Sequence, residues 1–228
     1  MINIQNLTYS FSGHKVLDDI SIDFQQNQVY GIVGLNGAGK TTFFNVLSTT
    51  LKTQSGSLKL NGNTITNKDI AYLETVNFFY SRITGNEYLK IFKQTNPIFN
   101  LLSLQEFLKL PLDDLIETYS TGMKKKLALL GVLKQDKQLF LLDEPFNGLD
   151  LETNKILELI IATLKEKGKT IFVSSHIIEP LISVCDQIHY LDNGKFAKSF
   201  EKNSFHKIED ELFKKLKDEA KTVISRSI

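Results

Sequence analysis

The sequence predicts an α/β domain: a largely parallel sheet with helices on its faces and a helical lobe inserted into it. Three observations predict this. From "LFLLDEP" onward short apolar strands alternate with helical stretches, the rhythm of a parallel sheet. Near the start, a glycine-rich loop joins the apolar run "VYGIV" to a stretch of helical spacing. Between the two, from about residue 78 to residue 135, apolar residues recur every three to four positions. The 228 residues suit one good-sized domain with a smaller lobe, on a prior of roughly 150 residues per domain.

The elements follow in order. "INIQNLTYSF", "ISIDF" and "VYGIV" read as strands, rich in β-branched and aromatic residues and bounded by Gly, Asp or Asn. "TTFFNVLSTTL" reads as a helix, and "GSLKLNGNTI" as a hairpin whose Asn61-Gly62 supplies the positive backbone angles of a two-residue turn. "NEYLKIF", "LLSLQEFLKL" and "GMKKKLALLGVL" supply the helices of the lobe. After "LFLL" come a helix from about Leu151 to near Gly168, the strand "TIFVSS", a helix near "IIEPLISV" and a strand pair around Asn193-Gly194. Residues 1–205 are expected to form the main domain and residues 206–228 a helical tail with an apolar stripe.

The formal net charge is +1, so no broad basic field exists to hold a nucleic-acid backbone or an anionic membrane. A single cysteine, Cys185, cannot form an internal disulfide; in the apolar "LISVCDQIHYL" it reads as a small core residue. The segment "MINIQNLTYSFSG" lacks the order of a secretory signal, so a cytosolic compartment is expected. No window approaches the roughly 18 apolar residues of a spanning helix. If the protein works at a membrane, another chain is expected to cross it.

"GLNGAGKTT" fits G-x-x-x-x-G-K-[ST] at Gly34, Gly39, Lys40 and Thr41, with a strand before it and a helix after it. Glycines let backbone N–H groups turn inward around phosphate oxygens, and the helix beginning at Lys40 adds its positive end. Lys40 is expected to bridge the outer phosphates and Thr41 to offer its hydroxyl to Mg²⁺. The apolar strand of "LFLLDEP" delivers Asp143 and Glu144 to its C-terminal end, where open α/β sheets bind ligands. Asp143 is placed to hold Mg²⁺ through water, and Glu144 to accept a proton from an attacking water. "TIFVSS" leads to His176 on the same edge, either a structural histidine or a donor to the terminal phosphate.

The phosphate loop, "YSTGM" at Tyr119 to Met123, "LFLLDEP", "NGLD" at Asn147 to Asp150 and "SSH" ending in His176 occur in the order found in an ATP-binding cassette (ABC) ATPase, which the chain resembles from about Met1 to Phe200. The resemblance implies a P-loop ABC-type cassette with a RecA-like core, an antiparallel β subdomain and an inserted α-helical subdomain. It implies ATP and Mg²⁺ as cofactors, with Gly34, Leu35, Asn36, Gly37, Ala38, Gly39, Lys40, Thr41 and Thr42 around the phosphates. It implies two cassettes closing head to tail on two ATP molecules, the segment Ser120, Thr121, Gly122 and Met123 of one facing the phosphate loop of the other. A serine and free N–H groups at a helix start make such an anion site. Asp150 would look across the seam and cap the following helix, a role that stands on its own. Phe11 matches the aromatic that stacks on adenine in similar proteins, or is a strand-end core residue.

Two departures stand out. Thr121 and Met123 replace the usual glycine and glutamine of the signature segment. In "IAYLETVNFFY" no glutamine is present to touch Mg²⁺ and signal to a transmembrane partner; Glu74 is the leading substitute and Thr75 the next. A carboxylate there would bind Mg²⁺ more strongly than an amide but repel the γ-phosphate. Lys124 to Lys126 reads as a solvated helix face. The function implied is the ATP-hydrolysing subunit of a transporter, similar to cassettes of simple bacterial exporters. Its partners would be a polytopic permease and a second, identical cassette, on the inner face of the cell membrane. The alternative is a soluble ABC ATPase acting on nucleic acid or ribosomes, which the near-zero charge disfavours.

Overall fold

Two sheets share a buried layer of aromatic and aliphatic side chains. The computed structural model describes residues 1–212. Strands β1 (Ile2–Phe11) and β2 (His14–Phe24) form an antiparallel hairpin, with Ile2 opposite Phe24 and Phe11 opposite His14. The other edge of β1 pairs with β4 (Ser55–Leu60), which turns into β5 (Asn63–Thr64). Asn61 and Gly62 both hold positive φ, 51° and 82°, as the expected two-residue turn requires.

The second sheet has six strands: β3 (Val29–Val33), β6 (Ile70–Leu73), β7 (Leu139–Leu142), β8 (Thr170–Ser175), β9 (Gln187–Asp192) and β10 (Lys195–Glu201). Their order is β10-β9-β3-β8-β7-β6, parallel throughout except for the antiparallel edge strand β10. All residues of β3, β7 and β8 are buried, as strands covered on both faces must be.

Alternation along these strands sorts the core into two layers. Val29, Val33, Phe140, Leu142, Ile171 and Val173 face one side with Ala128, Leu129, Val132 and Leu133 of α4 (Thr121–Lys134) and Leu157, Ile161 and Leu164 of α5 (Leu151–Glu166). Tyr30, Ile32, Leu139, Leu141 and Phe172 face the other. There Phe43, Phe44, Val46 and Leu47 of α1 (Lys40–Leu47) and the antiparallel sheet cover them. Helix α1 is shorter than the helical pattern through "LSTTL" predicts: Ser48 caps it and Thr49, at φ 64°, turns the chain away. The middle segment contains α2 (Gly85–Ile91), α3 (Leu101–Leu108) and the start of α4, around a cluster of Tyr88, Leu89, Leu108, Leu112, Ile116, Leu127 and Leu130. Helix α4 thus packs one face on the sheet and another in the lobe.

Cys185 is buried, and its thiol, surrounded by apolar atoms, is pushed well above its ordinary pKa. After β10 a 3₁₀ stretch, Lys202–Lys207, seats Phe205 in the sheet core and leads into a helical run whose first residue, Ile208, joins it there. Most of the expected tail helix, residues 213–228, lies outside the described residues.

Between the sheets, the His189 ring packs within 5.1 to 5.8 Å of Phe24, Phe196 and Tyr30, with Nδ1 2.7 Å from the Ser199 hydroxyl and Nε2 buried without a partner. Burial pushes its pKa down from 6.5 to about 4. The unfolded chain binds this proton at higher pH than the fold does. Stability is therefore present in full above pH 6.5 and is lost as pH falls toward 4, by about 3 kcal/mol from this group. Urea midpoints of a His189→Phe variant are expected to lose that part of the acid dependence while remaining near the parent at neutral pH.

Candidate active site

The C-terminal ends of β3, β7 and β8 meet at one edge because their registers are locked: Val33 pairs with Ser175, and Leu142 with Val173. Gly34 therefore lies level with His176, and Asp143 level with Ser174. Gly34 is a place where only glycine fits, since a Cβ there would come within 2.5 Å of the Leu191 carbonyl oxygen. Gly39 starts α1 at φ 104°, and the helix has no side-chain cap. Its first-turn N–H groups face the loop with the positive end of the helix behind them. Lys40 is buried and folds back over the loop, its Nζ donating to the carbonyl of Gly34 at 2.8 Å and lying 3.6 Å from a Glu144 carboxylate oxygen.

Asp143 is 0% exposed. Its Oδ1 accepts a short hydrogen bond from the Ser174 hydroxyl, which in turn accepts the Glu144 N–H at 2.8 Å. Its Oδ2 is buried with no hydrogen-bond partner. Glu144 sits at φ 50°, a strained setting for a side-chain-bearing residue at a strand end. This turn aims its carboxylate at the edge, where Oε2 lies 2.9 Å from His176 Nδ1.

A cleft of about 630 Å³ opens here, lined by Phe11, Asn36, Gly37, Gly39, Lys40, Thr41, Thr42, Glu144 and His176 among the expected residues. Phe11 is 48% exposed at its mouth, edge-on to Tyr9. Gly34, Leu35 and Ala38 shape the loop without lining the cleft, and Asp143 lies buried behind it. Ser120, Gly122 and Asp150 are not in its lining. Ser120 caps α4 by accepting the Met123 N–H at 3.2 Å, and Asp150 caps α5 by accepting the Thr153 N–H at 2.7 Å. That N–H bond holds the Asp150 carboxyl below its usual pKa.

Two expectations need correction. Glu74 is exposed and outside the cleft, while Thr75 lines it with a buried hydroxyl that has no partner. Strand β6 ends at Leu73, whose carbonyl accepts the Asp143 N–H at 2.9 Å, and the bend beyond it moves the inward position on by one. The run Lys124 to Lys126 is not a solvated face: Lys125 is buried, and its Nζ donates to the carbonyls of Glu144 at 2.6 Å and Asn147 at 2.8 Å. Burial pushes its pKa down to about 8, against the opposing pull of the Glu144 and Asp143 charges. Val16, Asn147 and Ser174 were not singled out from the sequence; Asn147, inside "NGLD", and Ser174, inside "SSH", carried a signal, and Val16 carried none.

For Mg²⁺ the residues fit. An orphaned carboxylate oxygen on Asp143, the orphaned hydroxyl of Thr75 and the hydroxyl of Thr41 are hard oxygen donors, the kind this ion takes alongside substrate phosphates.

Fold and site together define a P-loop nucleotide-binding cassette. The family model described as ABC transporter matches residues 17–147, and the chain belongs to that family, as an ATP-binding and ATP-hydrolysing subunit. An uncharacterized ABC transporter ATP-binding protein of Methanocaldococcus jannaschii is 31% identical over 85% of this chain and 75% of its own length. The lantibiotic transport ATP-binding protein SrtF of Streptococcus pyogenes is 29% identical over 93% of this chain and 96% of its own. A solved ATP-binding subunit of an ABC transporter superposes with a TM-score of 0.82 at 23% identity, covering 93% of this chain and 94% of that one. Among the described residues no helix is long and apolar enough to cross a membrane.

Removing the Ser174 hydroxyl strips Asp143 Oδ1 of its donor and Glu144 N–H of its acceptor in a buried setting. Ser174→Ala is expected to lower unfolding free energy by about 2–6 kcal/mol, two unsatisfied groups at about 1–3 each, measured by urea titration without nucleotide.

Proposed function

We propose that this chain hydrolyses ATP with Glu144 as general base, in a head-to-tail pair with a second copy, to drive a polytopic permease from the cytoplasmic side. The observation that carries the reading is the Glu144 carboxylate, held between His176 Nδ1 and Lys40 Nζ at the mouth of the phosphate loop.

Nucleotide phosphates compete for Lys40, whose bond to the Gly34 carbonyl and contact with Glu144 occupy it in their absence. As the amine turns to the outer phosphates, Glu144 loses a cation that weakens it as a base and keeps its contact with His176. A water beside the terminal phosphate then gives its proton to Glu144; the neutralised carboxyl releases the His176 N–H, which turns to donate to the phosphate oxygens. Asp143, Thr41 and Thr75 would hold Mg²⁺, which supplies charge neutralisation across the outer phosphates.

Ser120, Gly122 and Asp150 lie away from their own cleft, which supports a second cassette as the source of the groups that complete it. Helix α4 offers the Ser120 end for that purpose, with Thr121 exposed at its first turn. For the permease, the segment after Thr75 presents Val76, Phe78 and Tyr80, 81%, 71% and 57% exposed, beside a groove of about 540 Å³. Apolar side chains this open suit a protein partner. Choice of cargo belongs to the permease. The names of the relatives give no support to a nucleic-acid or ribosome role.

A Glu144→Gln variant is expected to turn over ATP at least about a hundredfold more slowly, in line with the loss of a general base. Light scattering is expected to find it dimeric with ATP and monomeric without. Normal turnover would sink the assignment.

A further inference from the structure

Lys125 is a buried cation for which phosphate chemistry has no direct use. Its Nζ donates to two backbone carbonyls, those of Glu144 and Asn147, and lies on a helix whose first residues follow Ser120. The two carbonyls belong to one turn: the Asn147 N–H also donates to the Glu144 carbonyl, at 3.2 Å. Asn147 lines the cleft, and Gly148, at φ 73°, leads from it toward Asp150.

Glu144 is held in the left-handed region, which an L-residue keeps only when its surroundings over-determine it. Its N–H is taken by Ser174, its carboxylate by His176, and its carbonyl by Asn147 and Lys125. Of these partners, Lys125 alone comes from α4. A methylene chain of the same length would fill the space without desolvating a charge, so what the amine adds is these two carbonyl bonds.

We propose that Lys125 is a positioning residue for ATP hydrolysis: it clamps the turn from Glu144 to Asn147 to helix α4, and so keeps the base and the chain leading to Asp150 in step with the Ser120 end of that helix. The clamp rests on the reading of Glu144 as the base. It needs no contact between Lys125 and nucleotide. Displacement of α4 at a dimer seam is passed to the Glu144 backbone through two hydrogen bonds within one chain, and a misplaced base slows the chemical step while leaving ATP binding intact.

The test uses the full chain with Lys125→Met, Lys125→Gln and Lys125→Arg. Lys125→Met is expected to lower kcat at least roughly tenfold with KM for ATP within about twofold. Amide exchange of residues 143–150 in the nucleotide-free chain is expected to quicken. Gln or Arg, which keep N–H donors, should recover a large part of both effects. Lys125→Met with kcat and exchange near those of the parent would overturn the clamp, as would equal losses in all three variants, which would mark a packing role only. Should Lys125→Met not fold, the Gln and Arg variants decide the matter: near-parent exchange supports the clamp, and quickened exchange in both overturns it. Glu144→Gln run in parallel separates the two readings: full turnover there removes the base assignment, while exchange of residues 143–150 still judges whether Lys125 holds the turn.

Discussion

The parallel register of β3, β8 and β7 is the constraint on which the rest depends. Hydrogen bonds between the strands set Val33 level with Ser175 and Leu142 level with Val173, so the next residues along each strand arrive together at one edge. A slip of one residue would turn Asp143 and Ser174 to opposite faces and separate the carboxylate from the hydroxyl that holds it. The slip is prevented by the burial of all three strands on both faces. Every second residue is committed either to the α4 and α5 layer or to the layer of α1 and the antiparallel sheet. Chemistry at the edge is thus positioned by packing well away from it.

That edge gathers ionisable groups beside an apolar core, and each needs a partner. Lys40 leans on a loop carbonyl and on Glu144; Asp143 leans on Ser174 and leaves one oxygen over. Where the groups are satisfied, hydrogen bonds fix their positions, and where one is left over it marks a place for a ligand group. The unpartnered oxygens of Asp143 and Thr75 occur at neighbouring strand ends, β7 and β6, and Leu73 and Leu142 are in register there. Two orphaned oxygen donors beyond adjoining strand ends in a buried setting are expensive in isolation and useful around a cation.

Much of this was legible because it is local. The glycine loop, the Asn61-Gly62 turn and the Asp150 cap are each decided within a few residues by backbone sterics or by one side chain reaching three positions on. Alternation exposed the strands, and the order of the segments exposed the family. What escaped depends on contacts distant in sequence. Thr75, the second of the two candidates, lines the cleft and Glu74 does not, because β6 stops at Leu73, and nothing in "LETV" announces where pairing with β7 ends and so which of the two turns inward. Lys125 looks like one of three equivalent lysines until the turn some twenty residues later folds over it. Helix α1 ends early at Leu47, where the left-handed backbone of Thr49 turns the chain away, a conformation that no residue preference would have forecast.

Helix α4 connects these levels. Ala128, Leu129, Val132 and Leu133 root it in the sheet core, Leu127 and Leu130 bind it to the lobe, and Ser120 starts it at the surface. A helix anchored on two faces moves as a rod, so whatever engages its first turn is felt at its buried residues. Lys125 is the first of these along the chain, one turn in from Ser120, and it grips the strand-end turn that carries Glu144. In a pair of such cassettes each site would be completed by the start of the other's α4, and each α4 would hold its own chain's base. Closure at one site would then be registered mechanically at the other through a single helix, without any nucleotide contact in common.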